Sequence, residues 1–216
     1  MYINAAFRTD DEAAWDFVKA RGFGAVTAVD AGRPVAAHVP LLVTGAGADR
    51  RIEFHVARAN PLHAIVARSP DILVVVQGPD AYISPDWYVS PDQVPTWNYL
   101  AAHISGTASL MTPERTHAHV EAMSQAFEAR LKPKQPWSTS KMTERRRAMM
   151  LAAIVPIEIR VAAIECSMKL SQNKSVADRF ETARMLDWRG GPGERGVAEA
   201  MRAQLRSAAT SSKETA

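Results

Sequence analysis

The chain has 216 residues, 47% of them apolar and 23% charged, and 26 basic against 23 acidic residues leave a net charge of +3. That balance fits one globular domain with a short appendage and excludes a mainly disordered chain. The small charge surplus also argues against the basic stripe of a nucleic-acid-binding domain.

Asp10 to Arg21 is predicted as a first helix, with acidic residues in its opening turn and Gly22 after its end. Four short β runs follow, Ala25–Val29, Val35–Val43, Arg51–Ala57 and Ile72–Val76, with hairpin turns at Asp30-Ala31-Gly32 and Gly45–Asp49. Pro61–Arg68 reads as a short helix capped by Asn60, with proline in the first turn, where a missing N–H costs nothing. Gln77 to Trp97, rich in proline and aromatics, reads as a loop of fixed shape.

Trp97–Leu110 is then a long strand with a bulge expected at Gly106, Thr112–Leu131 and Met142–Ala153 are helices, and Val155–Cys166 is the last strand. The glycine-rich run from Arg189 precedes a short amphipathic helix, Val197–Leu205, and a Ser/Thr/Ala end. The expected division is a domain at 1–188 and a mobile tail at 189–216. Without regular βαβ alternation, the strands point to an α+β, mainly β fold, an antiparallel sheet closed into a barrel with peripheral helices.

The longest nearly unbroken apolar run, Ala148 to Ile157, is far shorter than the roughly 20 residues of a membrane span, so no membrane partner is expected. The acidic start around Asp10, Asp11 and Glu12 lacks the features of a secretory signal. A single cysteine, Cys166, allows neither an intrachain disulfide nor a cysteine zinc site. A cytoplasmic protein is the expectation.

Strand alternation places Ile52, Phe54 and Val56 on one face and Glu53 and His55 on the other. His38 opposes Val39, Leu41 and Val43, while His103 shares a face with Trp97, Tyr99, Ser105 and Thr107. Each histidine has two readings, a structural hydrogen-bonder or a group in a site. Thr96, Trp97 and Asn98 combine a hydroxyl, a ring and an amide, either a wall for a flat ligand or an aromatic plug in the core. Lys169, Gln172, Asn173 and Lys174 concentrate donors after the last strand, and Arg58 and Asn60 add a guanidinium and an amide. Arg145-Arg146-Arg147 reads as a solvated helix face, and no helix-turn-helix pattern supports direct DNA contact.

Several phrases in order, Ala37-His38-Val39-Pro40-Leu41, His55 to Pro61, Gly78-Pro79 to Tyr88, Val94 to Tyr99 and Lys169 to Asn173, resemble the PaiB family of FMN-binding negative transcriptional regulators. The resemblance runs from Met1 to about Asp187. It implies a split β-barrel related to pyridoxamine phosphate oxidase-like flavoproteins, a homodimer, and FMN held at the subunit interface. On that basis Arg58 and Lys169 would contact phosphate, assisted by Asn60, Gln172 and Asn173. Thr96, Trp97 and Asn98 would line the ring pocket, with His38 and His103 as polar supports or proton carriers. The enzymatic options are flavin-dependent or haem-dependent redox chemistry. The chain is also similar to piperazate synthases, which use haem to form an N–N bond; that alternative makes His55, and after it His63 or His38, the iron ligand. Asn4, His63 and Gln77 stand where the family commonly has proline, tryptophan and an aromatic residue.

Overall fold

A computed structural model describes residues 1–214, with side chains through Ser207. Seven strands form one antiparallel sheet: β1 (Phe23–Asp30), β2 (Arg33–Pro40), β3 (Leu42–Thr44), β4 (Arg51–Ala57), β5 (Asp71–Ile83), β6 (Thr96–Leu110) and β7 (Ile154–Lys169). The helices are α1 (Asp11–Arg21), α2 (Leu62–Arg68), α3 (Arg115–Glu128), α4 (Glu144–Ala152), α5 (Val176–Arg189) and α6 (Pro192–Glu214). The expected mainly β class with peripheral helices is the observed one.

The strand order β2-β1-β5-β6-β7-β4-β3 puts β2 and β3 at opposite ends of the sheet. Only Leu41 separates them in sequence. One residue cannot cross a flat sheet, so the sheet curls until its ends meet, which is how a barrel closes. The single strand expected over Val35–Val43 therefore breaks at Leu41, whose N–H donates to the Gly22 carbonyl at 2.9 Å. The interior is filled by alternate residues, among them Val26, Ile52, Phe54, Val74, Ile104, Ile157 and Ile159, all fully buried.

The chain forms two compact units, one of Met1–Asp10, Gln77–Ala102 and Glu165–Ala216, the other of Asp11–Val76 and His103–Ile164. In the first unit, the loop expected from Gln77 onward begins as strand, because β5 continues through Gly78 and Pro79 to Ile83. Helix α5 went unrecognised in the sequence, although Ser175-x-x-Asp178 is a capping signal. The Ser175 hydroxyl accepts from the Asp178 N–H at 3.1 Å and donates to the Asp178 carboxylate at 2.8 Å. The glycine-rich run, expected to precede the last helix, is instead its opening, since α6 begins at Pro192. Gly193 and Gly196 lie three apart, on one helix face. A Cβ on Gly193 would lie 2.3 Å from the Asp80 carbonyl oxygen, and one on Gly196 would lie 2.6 Å from Pro79. These glycines let α6 lie against β5, and Val197, Ala198 and Met201 are fully buried. The short helix expected over Val197–Leu205 thus becomes a longer one. Of the tail expected to be mobile, Thr215 and Ala216 lie outside the described residues.

Asp178 also accepts from the backbone N–H groups of Val89 and Ser90, at 2.8 and 2.9 Å, and from the Ser90 hydroxyl. The Ser90 N–H leads in holding this carboxyl below the usual range, at about 2, with the two serine hydroxyls and the Val89 N–H adding to it. A carboxylate depressed on folding stabilises the fold above its unfolded pKa, and that contribution is lost as pH falls through the folded value. Asp178→Asn is expected to lose stability at neutral pH, with the gap to the wild type shrinking between about pH 4 and about pH 2 in denaturant titrations.

At Gly106, where a bulge was expected, the backbones of β6 and β7 approach closely: a Cβ there would lie 2.3 Å from the Arg160 carbonyl oxygen on β7. Gly106→Ala should cost about 1–3 kcal/mol of unfolding free energy, measured by chemical denaturation, because backbone must move to admit one methyl group.

Candidate functional site

Six of the expected site residues, Thr96, Trp97, Asn98, Lys169, Gln172 and Asn173, belong to the first unit. Three of them, Thr96, Lys169 and Asn173, line one cavity of about 250 Å³ together with Asn4, Phe7, Tyr88 and Lys174. Lys169 donates to the Thr96 hydroxyl at 2.5 Å and lies 5.7 Å from the Phe7 ring. Lys174 donates to the Gln93 side-chain oxygen at 2.5 Å and lies 5.2 Å from the Tyr88 ring. No acidic side chain lines the cavity, and neither ammonium forms an ion pair among the described residues. Two cations held by neutral oxygens and ring faces make a site for an anion.

The loop carrying this cradle is braced from within. Ser171 also lines the cavity and holds the left-handed value φ +61°, rare for a residue with a side chain. Its hydroxyl accepts from the Asn98 amide at 3.0 Å. Gln172 accepts from the Leu170 N–H at 2.7 Å and donates to the Met168 carbonyl. Asn98 and Gln172 therefore shape the loop, and Asn98 is fully buried. Alternation along β6 separates the expected wall: Thr96 and Asn98 point to one face and Trp97 to the other. Trp97 is half exposed and meets Tyr82 edge to face at 6.1 Å. Asn4, noted as a departure from the family pattern, caps a short turn by accepting from the Ala6 N–H at 3.0 Å.

The other five, His38, His55, Arg58, Asn60 and His103, belong to the second unit. His38 is exposed on β2, and His103 is half-buried on β6. Arg58 donates to the Ala152 carbonyl at 2.8 Å and to the Ile154 carbonyl at 3.1 Å, closing the α4–β7 junction. The Asn60 side chain, expected to cap α2, accepts from the Leu62 N–H at 2.9 Å, while Pro61 occupies the cap position itself. Nε2 of His63 sits 3.1 Å from the Arg58 carbonyl. Cys166, which belongs to the first unit, is a buried thiol that burial pushes up to about 11, so it stays protonated and unreactive at neutral pH.

His55 has the most elaborate surroundings. Its Nδ1 lies 3.0 Å from Nε2 of His119, and Nδ1 of His119 lies 2.9 Å from the Glu53 carboxylate. Glu53 faces Glu158 across the β4–β7 pair, a repulsive register that Arg115 relieves by donating to both carboxylates at 3.1 Å. Burial first, and then the neighbouring His119, lowers the pKa of His55, keeping its ring neutral. His119 is fully buried on α3 and was not among the histidines singled out from the sequence. Its signal was Arg115 and His119 four residues apart on one helix face. Groups of three or more His, Cys, Asp or Glu side chains able to hold a metal ion do not occur among the described residues.

The family described as "Putative FMN-binding domain" matches residues 1–163. The chain is 33% identical over 207 residues to the protease synthase and sporulation protein PAI 2 of Bacillus subtilis, covering 95% of this chain and 99% of that protein. Among solved structures, an FAD and heme binding protein from Mycobacterium smegmatis superposes with a TM-score of 0.55 at 16% identity, over 85% of this chain and 79% of that one. A conserved hypothetical protein from Mycobacterium tuberculosis gives 0.55 at 14% identity, over 82% and 97%. These likenesses support the split β-barrel fold. The extent of the family match and the full-length relative together show that the chain belongs to the PaiB-type family of FMN-binding domains.

Proposed function

We propose that the chain is an FMN-binding split-barrel protein, acting as a cytoplasmic homodimer in the manner of PaiB-type negative regulators of transcription, with flavin-linked redox activity. The observation that carries the cofactor assignment is the cavity in which Lys169 and Lys174 lie beside Thr96 and Asn173 with no lining carboxylate. Two ammonium groups, a hydroxyl and an amide match the charge and the acceptor oxygens of a phosphate monoester. Arg58, which donates to two backbone carbonyls, does not line this cavity and is not assigned to the phosphate. Bound flavin would supply the electron chemistry, and the protein would supply binding and orientation.

The exposed pair Tyr82 and Trp97 supports a second subunit, since exposed aromatic surface is commonly covered by a partner. No described helix is long and apolar enough to cross a membrane. Direct DNA contact is not proposed, because the arginine triplet lies on α4 directly after Glu144 with exposed Met149 and Met150, a mixed helix face instead of a basic stripe.

Titration of the purified protein with FMN and with riboflavin, followed by quenching of flavin fluorescence, tests the cradle. Replacing Lys169 and Lys174 together by alanine should weaken FMN at least about tenfold, or about 1.4 kcal/mol, and leave riboflavin binding unchanged. Equal FMN affinity in the variant would overturn the phosphate assignment. A Soret band after addition of haemin, lost in His55→Ala, would instead transfer the cofactor assignment to haem. Light scattering gives the subunit number, two being the expected result.

A further inference from the structure

A second cavity, of about 280 Å³, opens beside His55, and none of its residues lines the lysine cradle. Met123, Phe127 and Trp137 contribute apolar and aromatic walls, while His55, Ser124 and Glu128 are its polar groups. Glu128 is already neutralised, accepting from Lys134 and from the Trp137 N–H. His55 is therefore the polar group that decides what the cavity accepts.

With His119 as the neutral ring, the hydrogen-bond chain fixes which nitrogen of His55 carries the proton. Glu53, paired with Arg115, is a carboxylate and can only accept, so Nδ1 of His119 is protonated and its Nε2 is an acceptor. His55 must then donate through Nδ1, which leaves the lone pair of the neutral ring on Nε2. That nitrogen takes no hydrogen bond among the described residues. A buried histidine and its half-buried glutamate thus set the tautomer of a half-buried histidine at the wall of an aromatic cavity. The titratable and charged groups around His55 are Glu53 on β4, His119, Arg115 and Glu128 on α3, Glu158 on β7, and Lys134 in the following loop.

We propose that this cavity binds a small, single-ring aromatic compound with a weakly acidic O–H or N–H, which packs against Phe127 and Trp137 and donates its proton to Nε2 of His55. An apolar slot with one placed acceptor selects such a ligand: the ring gains burial, and the acidic hydrogen gains a partner that water no longer supplies. His119 and Glu53 are positioning residues. They act through His55 by keeping its acceptor turned to the cavity.

The probe is para-nitrophenol, with para-nitroanisole, its methylated counterpart, as the control lacking the acidic hydrogen. Both are titrated into the full-length protein by calorimetry, and nitrogen NMR of the histidine rings reports the tautomers. The expected result is His55 protonated on Nδ1 in the free protein, saturable binding of para-nitrophenol, and binding of para-nitroanisole at least tenfold weaker. His119→Ala should move the His55 proton to Nε2 and weaken para-nitrophenol at least tenfold. Equal affinity for the two probes, no binding of para-nitrophenol, or a His55 protonated on Nε2 in the wild type would each overturn the proposal. The comparison of probes and the tautomer assignment use the unaltered protein, so they stand even if His119→Ala fails to fold. FMN binding is read at different residues, so either assignment can fail alone.

Discussion

The one-residue passage at Leu41 is the constraint on which the barrel depends. Since β2 and β3 occupy opposite ends of the strand order and share that single link, the sheet has no freedom to remain open. Closure gives every strand an inside and an outside. On β4 the inside holds Ile52, Phe54 and Val56, all essentially removed from water. The same alternation turns Glu53 and His55 outward, where α3 supplies His119 and Arg115. The histidine relay is thus a by-product of core packing: the residues that fill the barrel determine which side chains its outer face can offer to a helix.

Two kinds of chemistry occupy the two compact units. In the first, positive charge is left without a carboxylate partner and is cushioned by aromatic faces and neutral oxygens, an arrangement whose electrostatic cost an anion removes. In the second, charge is paired, with Arg115 shared between two opposed glutamates and His119 enclosed against one of them. There the open valence is a neutral lone pair on an imidazole, which suits a hydrogen-bond donor and not an ion. The contrast explains why composition was a poor guide: a net charge of +3 says nothing about a local pair of lysines or an internally balanced cluster.

Periodicity of two made the faces of Arg51–Ala57 and of Trp97–Leu110 legible, and turn residues located the first hairpins, because these features depend only on neighbours in sequence. The strand pattern pointed to a closed barrel, and the resemblance of the ordered motifs added the family and the split form of that barrel. What stayed hidden required contacts between distant segments. Gly193 and Gly196 look like a linker until Pro79 and Asp80 are seen beneath them. Gly78 and Pro79 look like a turn until β5 is seen to run through them. Asn98 has the chemistry of a ligand contact, yet its place on the buried face of β6 makes it the brace of Ser171. His119 could not be joined to His55 without knowing that α3 covers β4.

The lysine cradle is assembled from chain segments that are far apart: the bond from Lys169 to Thr96 joins residues 73 positions apart, as does that from Asn98 to Ser171. Joining such segments costs more chain entropy than closing a hairpin, and contacts of this range tend to slow folding. The proposed anion site therefore depends on long-range closure, in contrast to the β1–β2 hairpin, whose strands are linked by two residues. A nascent chain has no cradle until its last strand has been made and seated, so the proposed anion site cannot exist before Lys169 and Lys174 have been synthesised.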